Sequence, residues 1–412
     1  IKGSSQYITG LLDDAKDMMY KNTDAGYDSK KVGRVCSGSA AGLLSKVYAT
    51  MGSGSLPASE QVTVMTGKPF QIVSGNKVYT DPVAQTFNKS QVKGYETFNP
   101  VECYTKARDL ANDLIEGVYG DHTIIDYEKL WSKSGKTSNE ILFGLQTLSG
   151  SEMYGTTFSS AWCGRLNTDG FVDNSLTLGY RKHWYMLFED QDLRIELGVQ
   201  HRWVRQNSDT SWGGGSYYPP FGKYKDMAVG YTDPITSETI PPQYPYNDGR
   251  SYRSDEHGSE QFFAFTTKYT YVDDRTQTRI NTDFPFLRMA VIYLIYAEAE
   301  NELNGVNQNS VDKLNDVRER SLASSKTLAD FADKTALRSA ILQERVMELS
   351  LEGDRRWDLI RWGIYLQAMN ALGGVDEVNN VKSRNEKHLL YPIPQAEMLT
   401  NGAIKENNPG WI

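Results

Sequence analysis

The sequence predicts a mainly α fold: tetratricopeptide-like helical repeats that carry a large irregular loop and short-strand subdomain. Three observations predict it. Apolar residues recur at helical spacing at both ends of the chain, and that periodicity fades between Gly135 and Phe286. Clusters of Gly, Pro, Ser and Asp punctuate the middle instead. Helix pairs joined by short turns give the repeat-like reading, although no strict self-repeat is visible.

Taken in order, Ile8, Leu11, Leu12, Ala15, Met18 and Met19 share one helical face, and Ala40, Leu43, Leu44, Val47 and Met51 share a second. Gly52 to Asn99 reads as loop. Asn99-Pro100 then opens a helix whose apolar stripe runs through Val101, Tyr104, Ala107, Ala111, Leu114, Ile115 and Val118. Short strand-like runs follow at Ile141 to Leu148 and Phe262 to Tyr271. A structureless loop of this length suits only a functional role. Periodicity returns with Ile292, Ile295, Tyr296, Ala299 and Leu303, stops at Asn304-Gly305, and resumes with Val311, Leu314, Val317, Ser321 and Leu322. Two longer helical segments, Thr335 to Glu352 and Asp354 to Asn370, are separated by Gly353. The organisation read from this is a helical-repeat part at 1–134, an irregular part at 135–285 and a C-terminal helical part at 286–412.

Composition narrows the chemistry. A chain of 412 residues can bury a core that needs no disulfides. Cys36, Cys103 and Cys163 form no paired pattern, so buried or neutral thiols are expected. The histidines His122, His183, His201, His257 and His388 share no metal-ligand spacing, so neither metal nor cofactor is expected. The net charge of −8 is spread along the chain, which disfavours nucleic acid as a partner. The apolar run Met289 to Ala297 is far short of the roughly 20 residues that span a bilayer, and reads as a core helix. No Gly-x-Ser-x-Gly motif occurs, and Gly135-Lys136-Thr137 lacks the earlier glycine of a phosphate loop because Leu130 stands there. No catalytic residue is therefore assigned.

The segment Arg338 to Gly363, RSAILQERVMELSLEGDRRWDLIRWG, resembles the C-terminal signature of the SusD/RagB family, ILxER, a short apolar stretch, EG, then RWxDLxRxG. The resemblance rests on Ile341, Leu342, Glu344, Arg345, Glu348, Leu349, Glu352, Gly353, Arg355 or Arg356, Trp357, Asp358, Leu359, Arg361 and Gly363. Three further segments agree in order. Asp283 to Leu303 is similar to the family segment in which an Arg precedes a helix ending in AEA, and Asn139 to Gln146 and Asp192-Leu193-Arg194 resemble its strand and its DxR element. Tyr391 to Trp411 resembles the closing tail, with Asn407 and Trp411 in place of Gln and Tyr.

The resemblance implies a SusD-like fold and a non-enzymatic subunit that captures a glycan or oligosaccharide for a SusC-like TonB-dependent transporter. It implies residence at the outer-membrane cell surface through an N-terminal lipid anchor absent from this chain, which looks N-terminally incomplete by the family pattern. A peptide-binding subunit of a RagB-like uptake system and a glycoside hydrolase are the alternatives.

The signature itself reads as structural. Glu344, Glu348 and Glu352 form one helical stripe that needs cations, and Asp354, Asp358 and Arg361 form a second. Carboxylate–arginine pairs would lock the helices across Gly353, with Trp357, Ile360, Ile364 and Ala368 as the apolar face. Ligand contact is expected instead from the aromatic stretch Arg202 to Arg253. There rings are interleaved with Gly and Pro, so they have no regular face on which to form a core. Sugar C–H patches stack on such rings while hydroxyls need polar partners. The residues expected to bind are Trp203, Trp212, Tyr217, Tyr218, Tyr244 and Tyr246, with Arg250 as a polar partner.

Overall fold

The computed structural model describes residues 2–27, 34–166, 172–174, 179–200, 202–203, 216–217, 231–232, 239–240, 263–270, 272–373 and 383–411. The frame is helical. Its N-terminal part holds α1 (Lys2–Met18), α2 (Ser37–Ser55) and α3 (Pro100–Ile115). Asn99 caps α3, its side chain accepting from the backbone N–H groups of Val101 and Glu102, with Pro100 at the first helical position where a missing N–H costs nothing.

Among the described residues the middle holds only short elements: α4 (Tyr127–Leu130), β5 (Ile141–Leu145), α5 (Phe158–Cys163), α6 (Lys182–Tyr185), α7 (Leu193–Glu196) and the small strands β6 (Arg165–Leu166), β7 (Val172–Asn174), β8 (Tyr180–Arg181), β9 (Val199–Gln200), β10 (Arg202–Trp203), β11 (Ser216–Tyr217), β12 (Tyr231–Thr232), β13 (Thr239–Ile240), β14 (Phe263–Thr266) and β15 (Phe284–Arg288). The C-terminal part restores long helices, α8 (Met289–Asn304), α9 (Gln308–Glu319), α10 (Lys334–Glu348), α11 (Asp354–Arg361) and α12 (Tyr365–Leu372), followed by α13 (Gln395–Thr400). The expected mainly α fold with an irregular middle is the fold observed.

The core lies where α8 passes between the two ends of the chain. One side packs on α2 and α3 through Tyr104, Ala107, Ala111, Ile292 and Ile295, and the other on α9 and α10 through Leu294, Val311, Leu314 and Ile341. Helix α8 is buried on nearly all sides, which is why Met289 to Ala297 is apolar throughout. No helix among the described residues is long and apolar enough to cross a membrane.

Three local expectations give way to tertiary context. The stretch read as loop after Gly52 holds two hairpins, β1 (Gln61–Thr66) with β4 (Val83–Asn88) and β2 (Phe70–Val73) with β3 (Asn76–Tyr79). Val62 and Val64 of β1 are buried in the core, so the alternation QVTVMT is a strand signal set by what covers it. The segment expected to be one helix from Asp354 to Asn370 breaks at Gly363. This residue has φ +64, and a Cβ added there would sit 2.1 Å from the Ser90 carbonyl oxygen. The break resets the helical phase: Leu359 and Trp362 enter the core, whereas Trp357, expected on the apolar face, is 49% exposed and packs edge-on against Tyr391.

The charged stripe is paired, but largely by residues from other parts of the chain. Arg288, at the end of β15, reaches Glu348 at 2.6 Å, Glu352 at 2.7 Å and Glu140 at 3.0 Å. Arg320 bridges Glu140 and Glu348. Arg194 joins Asp192, Glu344 and Glu348, Arg318 joins Glu344 and Glu189, and Lys268 reaches Glu352 at 2.8 Å. The lock across Gly353 is made by Arg345 to Asp358 at 2.8 Å, and Asp358 also holds Arg361, whose guanidinium grips Glu298 of α8.

Breaking such a buried set leaves unpaired charge in a low-dielectric interior. Glu348→Gln is expected to destabilise the fold by about 3–5 kcal/mol, read as a lower urea midpoint at unchanged slope. A pH series checks the same interactions. Burial opposes ionisation of Asp358, but Arg345 and Arg361 outweigh it and hold its carboxyl at about 2. Burial likewise opposes ionisation of Glu348 and Glu352, but Arg320 and Arg288 hold Glu348 down and Arg288 and Lys268 hold Glu352 down. A folded-state pKa below the unfolded value gives stability that is present above about pH 4 and lost as the pH falls. The urea midpoint should change little near neutrality and drop below about pH 4.

Candidate functional site

A cleft of about 270 Å³ lies between the segment Leu130 to Asn139, the β5·β15 ladder and the loop after β14. Its shape follows from short, close-packed elements. Strand β5 pairs antiparallel with β15, with register shifts between Pro285 and Leu287 and between Leu287 and Arg288. Such irregularities re-aim side chains. Here consecutive Leu287 and Arg288 are both buried, while Phe286 stays 47% exposed.

Aromatic rings run from the interior to the mouth. Trp131 meets Tyr269 edge-on at 5.8 Å, Tyr269 stacks parallel to Phe284 at 6.2 Å, Phe284 meets Phe286 at 5.3 Å, and Phe286 meets Phe143 at 5.3 Å. Trp162 and Phe158 stack on one another behind this row. Trp131, Tyr269, Phe284 and Phe143 line the cleft. Tyr269 is fixed by its hydroxyl donating to the Leu351 carbonyl at 2.9 Å.

The polar lining is unusual in what it leaves unpaired. Trp131 Nε1, Ser138 Oγ and Thr282 Oγ1 are buried with no hydrogen-bond partner among the described residues, and all three residues line the cleft. A buried polar group without a partner costs about 1–3 kcal/mol, so three in one place mark a surface shaped for a ligand that supplies donors and acceptors. Asp283 is the sole carboxylate in the lining among the described residues; it accepts from the Thr147 backbone N–H at 2.9 Å, and burial raises its pKa. Lys136 donates to the Asn281 carbonyl, and burial lowers its pKa. Gly135-Lys136-Thr137 thus forms part of a 3₁₀ turn, Ser134–Thr137, whose lysine is already engaged. No group of His, Cys, Asp and Glu side chains among the described residues could hold a metal ion.

The residues expected from sequence fall elsewhere. Trp203 and Tyr217 lie on paired strands, β10 (Arg202–Trp203) and β11 (Ser216–Tyr217), which bring their backbones to neighbouring ladder positions. Trp212, Tyr218, Tyr244, Tyr246 and Arg250 lie outside the described residues, as do the side chains of Trp203 and Tyr217. The sequence reading missed Trp131, Thr282 and Phe284. Phe284 and Phe286, two apart in a strand, carried a readable signal; Trp131 and Thr282 carried none, because only the fold brings them together.

Comparison with known proteins adds the lineage. Residues 171–411 match the model of the SusD family, a span that takes in both the irregular middle and the signature. The chain belongs to the SusD family. The SusD-like protein P25 of Formosa agariphila is 32% identical over 183 residues, which is 42% of this chain and 34% of that protein. The aligned part thus spans about a third of that relative's length. The fold is shared with a SusD homolog from Bacteroides thetaiotaomicron, at 22% identity and a TM-score of 0.62, covering 100% of this chain and 70% of that one. It is shared too with a laminarin-binding SusD-like protein, at 20% identity and a TM-score of 0.56, covering 100% and 69%.

One substitution separates stability from binding in this SusD-family chain. Thr282→Val keeps the shape and removes an unpaired hydroxyl, so thermal unfolding is expected to be unchanged or slightly raised, by up to about 1 kcal/mol. Any ligand that uses this hydroxyl should bind more weakly, which calorimetry on the same samples would read.

Proposed function

We propose that this protein captures an oligosaccharide at the outer-membrane surface without altering it and passes it to a SusC-like TonB-dependent transporter. One observation carries the reading: in a SusD-family chain, a cleft joins aromatic faces to buried hydroxyl and indole N–H groups that lack partners. Sugars offer the complement of both, C–H patches for the rings and hydroxyls for the polar atoms. The laminarin-binding relative of the same fold supports a glycan as the ligand class. In this reading the helical parts, 1–134 and 286–412, form the frame, and 135–285, together with Trp131 from the end of the first part, presents the ligand-facing segments. Trp203, Trp212, Tyr217, Tyr218, Tyr244, Tyr246 and Arg250 remain proposed ligand contacts on the sequence alone. Attachment to the membrane is through a lipid at the N-terminus of the full-length protein.

The carboxylates of the described residues support a binding role without hydrolysis. Glycoside hydrolysis uses two carboxyl groups roughly 5–10 Å apart across the scissile bond. The described lining of the cleft offers Asp283, and the glutamates of the signature are buried in ion pairs with arginine and lysine.

Calorimetry with a panel of soluble glycans, including laminarin and xyloglucan oligosaccharides, tests the proposal. At least one is expected to bind, and Phe284→Ala, Trp212→Ala or Tyr218→Ala should each weaken it by about tenfold, the loss of one stacking contact. A protein that binds peptides and no glycan, or that turns a glycan over, would overturn it.

A further inference from the structure

The three cysteines are all free and buried, but they are not alike. Cys36 occupies the N-cap of α2, where the helix dipole favours a negative charge. Its Sγ lies 3.7 Å from His122 Nε2. His122 Nδ1 lies 3.3 Å from the Asn139 carbonyl oxygen and donates to it, leaving Nε2 free to accept. Ser39 donates its one hydroxyl proton to the Leu142 carbonyl and accepts from the Cys36 backbone N–H at 3.0 Å. Ser39 Oγ also lies 3.5 Å from Cys36 Sγ, but a hydroxyl is not a base near neutral pH, so the imidazole is the group placed to take the thiol proton. Gly38 makes room for it, since a Cβ there would lie 2.2 Å from Nε2. Both Cys36 and His122 line the cleft, so the pair borders the space that a small molecule would enter.

We propose that Cys36 and His122 form a thiol–imidazole pair that makes Cys36 the reactive cysteine of this chain, a site of mixed-disulfide formation with small disulfides entering the cleft. His122 Nε2 accepts the Cys36 proton, and the thiolate attacks one sulfur of the incoming disulfide. A bond forms between Cys36 and that sulfur while the original sulfur–sulfur bond breaks. The leaving thiolate takes the proton back from the imidazolium and departs as a thiol, so one disulfide is consumed and one is made. Acid–base trends agree. Burial opposes ionisation of Cys36, yet His122 and Ser39 together outweigh it and bring the thiol to about 7, whereas burial pushes Cys103 up to about 11 and Cys163 to about 12. Among the described residues, Tyr27 and Arg34 line the cleft with the pair, and Asp121 lies behind it through Asn139. This chemistry is independent of what else the cleft binds.

The test is reaction of the folded chain with 4,4′-dithiodipyridine, read at each cysteine by peptide mass spectrometry across a pH series. Cys36 is expected to react at least about tenfold faster than Cys103 and Cys163 at pH 7, with a rate midpoint near pH 7. His122→Asn should slow Cys36 at pH 7 by about tenfold, move the midpoint upward by at least about one unit and leave the rate at high pH largely intact. Equal reaction of the three cysteines, or a Cys36 rate that His122→Asn leaves unmoved, would overturn the proposal. If that variant does not fold, the unsubstituted protein decides by itself: a midpoint at about pH 8.5 or above, the value of an unassisted thiol, also overturns it.

Discussion

The fold turns on one constraint: three glutamates, Glu344, Glu348 and Glu352, share a face of α10 and the turn after it, and each is buried. Water cannot solvate them, so protein cations must. Those cations come from well-separated places, Arg194 on α7, Lys268 after β14, Arg288 at the end of β15, and Arg318 and Arg320 at the end of α9. Desolvation makes any single pair of this kind nearly neutral for stability, but a segment in the wrong place would strand a charge at a cost of several kcal/mol. The network therefore acts mainly on position, holding the irregular middle of the chain in one arrangement against the helices.

That arrangement reaches the cleft directly. Lys268 lines it, donates to the carbonyls of Glu348 and Ser350 as well as to Glu352, and lies 4.9 Å from the centre of the Trp131 ring. The aromatic floor thus rests on the charged cluster. Apolar packing supplies the remainder of the frame, with α8 as the shared element between the N-terminal helices and the C-terminal ones.

Much of the frame was legible in the sequence because helices announce themselves locally. The cap Asn99-Pro100, the stop at Asn304-Gly305 and the break at Gly353 each depend on neighbours in sequence. The need of the glutamate stripe for cations was legible too, from its spacing. Which cations was not, since Arg194 and Arg288 lie far from α10 in sequence. Strand β1 escaped notice because burial of Val62 and Val64 comes from elements remote in the chain, and Trp357 was misplaced because a turn at Gly363 shifts the helical phase. The cleft was the least legible part: Trp131, Thr282 and Phe284 share no motif, and their common property, facing one space, exists only after folding. The aromatic stretch that the sequence did single out lies almost wholly outside the described residues.

Strand β15 has a consequence of its own. Within five residues it carries Phe284 on the wall of the cleft and Arg288 at the heart of the ion cluster, with the register shift between them turning the chain from one task to the other. The wall cannot swing without pulling a guanidinium out of its cage of carboxylates. A molecule entering that hollow meets surfaces already held in shape, so little freedom remains to be lost when it lodges, and selectivity there should rest on fit.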